Sequence, residues 1–469
     1  MNATVLASPR PHIRLDSRRM LDCGLALILF LGTHAAYGSA SGVVQLCDST
    51  YSLVVAESLL KDGTFDLRSH IPADASQLPG YDPGQGLPYH FVRTPGSERI
   101  LYGYPLGSTF LSLPWVAYYT LLKDRSTMDA AGVPRYAAEG LIQVRIASQV
   151  TAAIAVLFFV LARFYVPTLP AFLIAAGFAF GSPLISTLAR ALWSHTWMAF
   201  MLSAAIVMLV GLHRRVNVTQ RSDALFGIGL GTTLFWAIFC RQHAVLSAAA
   251  IGVYLLLHHR RVLLATVLAG GTWVAGLVAV SMAVFGTPQP PSIYAPGMLD
   301  GQHLASRFAW LMVSPTRGLL VYCPYVIASL AILIGARKRL ADAGLLLPAG
   351  LAITGHTLMI SSFVGWHANW AYGPRYFCDV LPWFALLTAM SAPAIPALPR
   401  FRWTATTVLV LCFAWGIFVH VRGANSHAAW HWNDLVRTKG NEGAVKDWAH
   451  PQFLAGLTFS VNPDGTIQE

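Results

Sequence analysis

Residues 21–51 read LDCGLALILFLGTHAAYGSASGVVQLCDSTY, and this stretch decides the fold. The first 22 residues are apolar enough to cross a bilayer core, which needs about 20 such residues per helix. They read as a retained signal anchor, since no clean small-x-small cleavage site precedes a mature domain and more spans follow. The run then exits into QLCDSTY, with Asp48 at the membrane boundary. Similar stretches recur at 140–162, 168–189, 194–212, 224–240, 243–257, 262–285, 317–335, 343–363, 376–391 and 403–420. The pattern predicts an all-α polytopic membrane protein with about eleven transmembrane helices.

Composition agrees. Of 469 residues, 55% are apolar and 11% charged, against about 25% charged in soluble domains. Mean hydropathy is +0.54. The net charge of +11 would suggest nucleic acid in a soluble chain. Here it follows the positive-inside rule. Fifteen basic residues fall on one side: Arg10, Arg14, Arg18, Arg19, Arg163, Arg214, Arg215, Arg221, Arg260, Arg261, Arg337, Lys338, Arg339, Arg400 and Arg402. Asp16, Asp22, Asp223 and Asp342 share that side, which therefore holds the whole excess. No nucleic-acid partner is implied, and the lipid bilayer is.

Segment 101–122 is long enough to cross, but Gly103, Pro105, Gly107 and Pro114 interrupt it. If it crossed, the later basic loops would part from the basic amino terminus, so the charge bias favours an interfacial helix. The expected layout has the amino terminus inside and the carboxyl terminus outside. Residues 1–20 form a cytoplasmic basic tail. Residues 21–420 form the transmembrane domain, with outer loop 43–139 carrying interfacial helices. Residues 421–469 form a small non-cytoplasmic cap, too short for an independent core. The short inner loops hold no Walker P-loop and no strand-borne GxGxxG, which argues against an ATP-driven pump. The six cysteines form no CxxC pair, which argues against a zinc, redox or disulfide framework.

Chemistry is therefore expected on the outer side. A carboxylate at the boundary, such as Asp48, is desolvated enough to gain basicity and to serve as a general base for an acceptor hydroxyl. Its other reading is an N-cap for the amphipathic helix over 51–61. Arg241, Arg317 and Arg375 stand at outer ends of spans, where a permanently charged planar fork suits a lipid phosphate. The other reading of each arginine is snorkelling or a structural ion pair. Asp379 is four residues after Arg375, placed to orient it. His195, His243 and His367 are candidate acids, bases or ligands, or interfacial histidines bonded to backbone. Trp366, Trp370 and Tyr372 form a denser aromatic group than an interfacial belt requires, suited to sugar faces or a prenyl chain. No HExxH or GxSxG pattern is present.

Asp48 after the first span, Tyr51, the run AESLL (56–60), Gly63 and the motif YGPRY (372–376) resemble the GT-C glycosyltransferases. The chain is similar to their bacterial branch, related to protein mannosyltransferases and lipid A aminoarabinose transferases. The resemblance implies an inverting transfer of a sugar from a polyprenyl-phosphate donor to a glycan, lipid or protein acceptor at the outer (periplasmic or extracellular) face of the plasma membrane. It implies Asp48 as the base or a metal-proximal carboxylate, and Arg375 at the lipid-linked donor. Ser49 follows Asp48 where the family often has a second acid. No cofactor is certain, and a divalent metal is left open. Two other classes stay open: a transporter or flippase of lipid-linked sugars, and a non-catalytic subunit of an envelope polysaccharide assembly complex.

Overall fold

The computed structural model describes residues 17–39, 43–94, 97–215, 219–292, 298–340 and 342–468. The basic tail before residue 17 lies outside the described residues. Every expected span is occupied by helix. The chain order is α1 (Ser17–Ser39), α2 (Ser52–Lys61), α3 (Gly107–Ala117), α4 (Tyr136–Arg163), α5 (Thr168–Gly181) and α6 (Ser194–His213). Then come α7 (Gln220–Cys240), α8 (Val245–His258), α9 (Arg260–Phe285), α10 (Leu304–Val313), α11 (Leu319–Tyr322) and α12 (Tyr325–Gly335). The series ends with α13 (Leu346–Ser361), α14 (Leu381–Ser391), α15 (Arg402–Asn425), α16 (His427–His431) and α17 (Val436–Lys446). The protein is all-α and polytopic: among the described residues, eight helices are long and apolar enough to cross a membrane.

Three expected spans are shorter than that measure, over Thr168–Gly181, Gln242–His258 and Tyr325–Gly335. Two of them are broken at proline. Ser182 is extended before Pro183, and the chain resumes as one π turn over Leu184–Leu188. Cys323-Pro324 likewise separates α11 from α12. Proline lacks the N–H that a continuing helix needs and disfavours helical backbone in the residue before it. Helix α10, within the expected outer loop 286–316, is an addition. Helix α3 and its π continuation to Leu122 are too short for a bilayer core.

The basic loops gather at one end of the bundle. Arg163 pairs with Asp22 at 2.8 Å, Arg214 with Asp342 at 2.6 Å, and Arg215 with Asp223. Helix α9 presents apolar side chains outward, Leu264, Val267, Leu268 and Val274 among them. Water would penalise such a face and lipid would not. It packs closely on α7, where a Cβ at Gly231 would stand 2.4 Å from the Thr266 carbonyl oxygen. Small residues allow that approach between helices in a bilayer.

At the opposite end, residues 43–135 fold back over the bundle. Two short antiparallel hairpins shape this cover. Strand β1 (Tyr81–Asp82) pairs β2 (Leu87–Pro88), and β3 (Phe91–Arg93) pairs β4 (Ile100–Tyr102) with Phe91 opposite Tyr102.

Candidate functional site

The segment carrying Asp48 is held rigidly. Gln143 of α4 donates to the Ser49 carbonyl at 2.7 Å, and Gln45 donates through its side chain to the Ser186 carbonyl at 2.8 Å. Asp48 does not cap α2. The cap position is Tyr51, in left-handed backbone at φ 71°. The buried Glu139 carboxylate of α4 accepts instead from the Tyr51 and Leu53 N–H groups, at 2.9 and 3.1 Å. Glu139 thus fixes the helix end next to Asp48, and it was missed because it reads in sequence as the edge of a span.

With no cap to make, the Asp48 carboxylate turns inward. Its Oδ2 lies 3.2 Å from Arg375 Nη1, with 28% of the side chain exposed. Tyr104 donates to its Oδ1 at 3.4 Å, and Tyr102 donates to its backbone carbonyl at 2.8 Å. His90 bonds the Cys47 carbonyl at 2.8 Å. Burial lowers the His90 pKa to about 4, so it serves as a neutral donor there. The expected gain in Asp48 basicity is corrected: burial pushes its carboxyl up, but the Arg375 and Arg241 guanidiniums outweigh burial, and it sits below the usual carboxylate range.

Arg375 is 4% exposed. Its guanidinium carbon lies 4.5 Å from the Trp193 ring centroid and 5.5 Å from that of Tyr376. Neither its Nε nor its Nη1 has a hydrogen-bond partner among the described residues. The 3.2 Å approach to Asp48 is therefore ionic contact without hydrogen-bond alignment. Two buried N–H donors without acceptors are costly and have the geometry that suits an oxyanion.

Asp379 does not orient Arg375. Residues Arg375–Val380 form a 3-10 helix, whose three-residue turn takes the i+4 position off the common face. Its carboxylate instead accepts from His195 Nδ1 at 2.6 Å and Arg241 Nε at 2.7 Å. His243 Nδ1 approaches to 3.4 Å and His356 Nε2 to 3.9 Å. His356, inside α13, was not singled out in the sequence, although an ionisable residue within a span is itself a signal.

The structure thus brings together Asp48, His195, Arg241, His243, Arg375 and Asp379, and sets the other expected site residues apart. Arg317 is a structural tie. It donates to the carbonyls of His367 (2.8 Å), Thr316 (3.2 Å) and Asn369 (3.0 Å), to Gln452 (2.7 Å) and to Asn433 (3.4 Å). These bonds pin the 367–369 loop to the carboxyl-terminal cap and leave no fork for a phosphate. Tyr372 is fully buried and donates to the Val419 carbonyl at 2.6 Å, with its ring against Gly423, where no Cβ would fit. Tyr51 is buried, donating to the Pro79 carbonyl at 2.9 Å. Trp366 is buried and donates to Glu442 of α17 at 3.3 Å. His367 accepts from the Asn369 N–H at 3.3 Å, and Trp370 packs edge-on against Trp430. Among the described residues, no hydrogen bond or ion pair links any of these six to Asp48, Arg375 or Asp379.

Beside the cluster runs an apolar cavity of about 620 Å³ between α7, α8 and α9. Leu234, Ile238, Leu255, Leu263 and Val274 line it, and Tyr104 and Gln242 stand at its polar end. Tyr104 belongs to both cavity and cluster, since its hydroxyl reaches Asp48. Sequence patterning missed Tyr89, His90, Tyr102 and Tyr104 because a loop rich in glycine and proline has no periodicity to read. Among the described residues, no three His, Cys, Asp or Glu side chains stand where they could share a metal ion. Asp48 has Cys47 and Tyr104 for polar neighbours rather than a second carboxylate.

No protein-family model matches the chain, and no curated protein matches it. Among solved structures it is similar to the crystal structure of ArnT from Cupriavidus metallidurans bound to undecaprenyl phosphate. The TM-score is 0.45 at 12% identity, covering 93% of this chain and 75% of that one.

Proposed function

We propose that the chain is a membrane glycosyltransferase that moves a sugar from a polyprenyl-phosphate donor to an acceptor hydroxyl. One observation carries this reading: a carboxylate faces a buried arginine that has two N–H groups without acceptors, and Tyr104, which donates to that carboxylate, also lines an apolar groove. The groove suits a prenyl chain, at about 0.8 kcal/mol per buried methylene. Arg375 receives the phosphate on Nε and Nη1, and Arg241 adds charge while Asp379 holds it. Asp48 takes the acceptor's proton as the hydroxyl attacks the anomeric carbon. The anomeric C–O bond to phosphorus breaks, the electron pair leaves with the phosphate, and the anomeric centre inverts. Charge growing on the leaving oxygen meets preformed donors, which lowers the barrier. The positive-inside charge pattern supports an outer-face position for this end of the bundle.

The test uses purified protein in detergent with a panel of radiolabelled undecaprenyl-phosphate sugars, each with an envelope extract as acceptor. Transfer by the wild type is expected for at least one sugar. Asp48→Asn should fall by about 10²–10⁴, the usual worth of a general base, with the helical fold retained by circular dichroism even though losing the Arg375 pair lowers thermal stability. Wild-type rates from Asp48→Asn would remove the assignment of the base, and no transfer with any sugar would remove the reading.

A further inference from the structure

The phosphate cage holds one more buried nitrogen that the transfer step leaves unused. His195 is 1% exposed at the start of α6, and its Nε2 has no hydrogen-bond partner among the described residues. Its ring centroid lies 6.5 Å from Trp193 and 6.4 Å from Tyr376. The same two rings flank the Arg375 guanidinium. His195 is also near enough to Asp48 for their charges to interact. So Nε2 of His195 and Nε and Nη1 of Arg375, none with a hydrogen-bond partner among the described residues, share the same two aromatic neighbours, and Nη1 is also in ionic contact with Asp48.

The tautomer follows from Asp379. That carboxylate is ionised, since it already accepts from Arg241, so the 2.6 Å bond from His195 Nδ1 must use an N–H. In the neutral ring, Nε2 is then a bare lone pair. A lone pair cannot face a phosphate oxygen, because both are acceptors. Either the ring takes a proton, or the phosphate must arrive protonated.

The charge that the ligand brings, rather than the charges of the protein around the ring, favours the first. The groups around the imidazole are Asp379, Arg241, Arg375, Tyr376 and Asp48, with His243 and His356 beyond Asp379. Asp48 and Asp379 cancel Arg241 and Arg375, so the empty cage is neutral overall. A phosphate monoester brings up to two negative charges beside these groups, and Nε2, which has no hydrogen-bond partner among the described residues, is a site for a compensating proton. Asp379, behind the ring, stabilises the imidazolium as the carboxylate of a catalytic triad does.

We propose that His195 takes up a proton when a prenyl phosphate monoester enters the cage, so that Nε2–H becomes a third donor to the phosphate beside Arg375. This rests on the donor-site reading above. The monoester is the product side of the transfer. The donor is a diester with one charge, and the second charge appears only as the C–O bond breaks. The hydroxyl gives up its proton to Asp48 in that step, so the transfer itself leaves the charge of the site unchanged, and a proton taken up from solvent by His195 offsets one of the two charges then gathered on the phosphate. His195 thereby favours the state in which the bond has broken.

Calorimetric titration of the full chain in detergent with farnesyl phosphate tests this, run at pH 8 in two buffers of different ionisation enthalpy. The buffer dependence counts protons. Wild type should take up about one proton per ligand, and its Kd should weaken about tenfold per pH unit above neutrality. His195→Gln should bind more weakly, with uptake near zero and a flat pH dependence. Unchanged uptake in His195→Gln would put the proton on the ligand and overturn the proposal. Farnesyl sulfate, which does not titrate, gives a second measurement without a variant. The sulfate carries one charge, as the diester donor does, so wild type should bind it with uptake near zero, and uptake equal to that with farnesyl phosphate would overturn the link between the proton and the second charge. No binding of farnesyl phosphate by wild type would instead overturn the donor-site reading itself.

Discussion

Replacing Arg375 by glutamine should move the acid limb of the pH–rate profile, and the size of the move follows from the geometry. Asp48 and Arg375 approach to 3.2 Å. Two unit charges at that distance interact by about 5 kcal/mol at an effective dielectric of about 20, and by about 1.3 kcal/mol in bulk water. With 28% of the Asp48 side chain exposed, the pair lies between these limits, at about 2–3 kcal/mol, or roughly two pKa units. The folded-state carboxyl of Asp48 lies below its ordinary value. It therefore stays ionised, and able to act as a base, as pH falls through the usual carboxylate range. Without Arg375 the carboxyl rises, and base activity is lost at higher pH. The assay is kcat/KM against pH for the wild type, Arg375→Gln and Arg375→Lys, with a competent polyprenyl-phosphate donor. Arg375→Gln should lose about 10²–10³ in rate with its phosphate donors, and its remaining activity should show an acid limb about two units higher. Arg375→Lys keeps the charge and should keep most of the wild-type position while losing the planar fork. An acid limb unmoved in Arg375→Gln would refute the claim that Asp48 is the base and that Arg375 sets its ionisation.

Four further outcomes follow from the same structure. Arg317→Met removes five bonds to buried acceptors and should cost about 3–5 kcal/mol. Thermal unfolding and proteolysis of the 421–469 cap would register this loss, while farnesyl phosphate affinity of the folded fraction stays at the wild-type value. Glu139→Gln puts an amide where two backbone N–H groups need an acceptor and should cost about 1–3 kcal/mol. It should lower kcat more than it raises donor KM, because it shifts the Asp48 turn rather than the groove. Tyr372→Phe should cost about 1 kcal/mol in thermal stability and leave donor KM unchanged, since the hydroxyl serves only the Val419 carbonyl. Gly252→Leu projects into the groove from a point where a Cβ meets nothing within 4 Å. It should raise KM about tenfold for long prenyl donors and little for short ones, with stability equal or up by about 1 kcal/mol from helix propensity.

The spans were legible because a bilayer imposes a length, and eleven apolar stretches all became helix. Their interruptions were not, because hydropathy runs unbroken through Pro183 and Pro324 while the backbone does not. Part of the site was legible for a related reason. Asp48, His195, Arg241, Arg375 and Asp379 are expensive at the ends of apolar helices, so their presence asks for a cause. The aromatic residues misled because a tyrosine beside a helix end looks the same in sequence whether its ring faces a cavity or the core. Tyr372 and Tyr376 flank one motif. The first packs on Gly423 and the second walls the arginine cage. Charge alone misled in the same way with Arg317, whose N–H groups are spent on Thr316, the 367–369 loop and the cap. The distinction that matters is between satisfied and unsatisfied cations. At the basic end, Arg163 holds Asp22 at 2.8 Å with both side chains 29% exposed, which serves topology and asks for no ligand. At the other end, Arg375 is buried, faces a carboxylate without hydrogen-bond alignment, and keeps two N–H groups without acceptors. The two arginines carry the same charge, so the net count of +11 could not separate them. Burial and missing hydrogen-bond partners do, and they are what supports the proposal of an anion at Arg375.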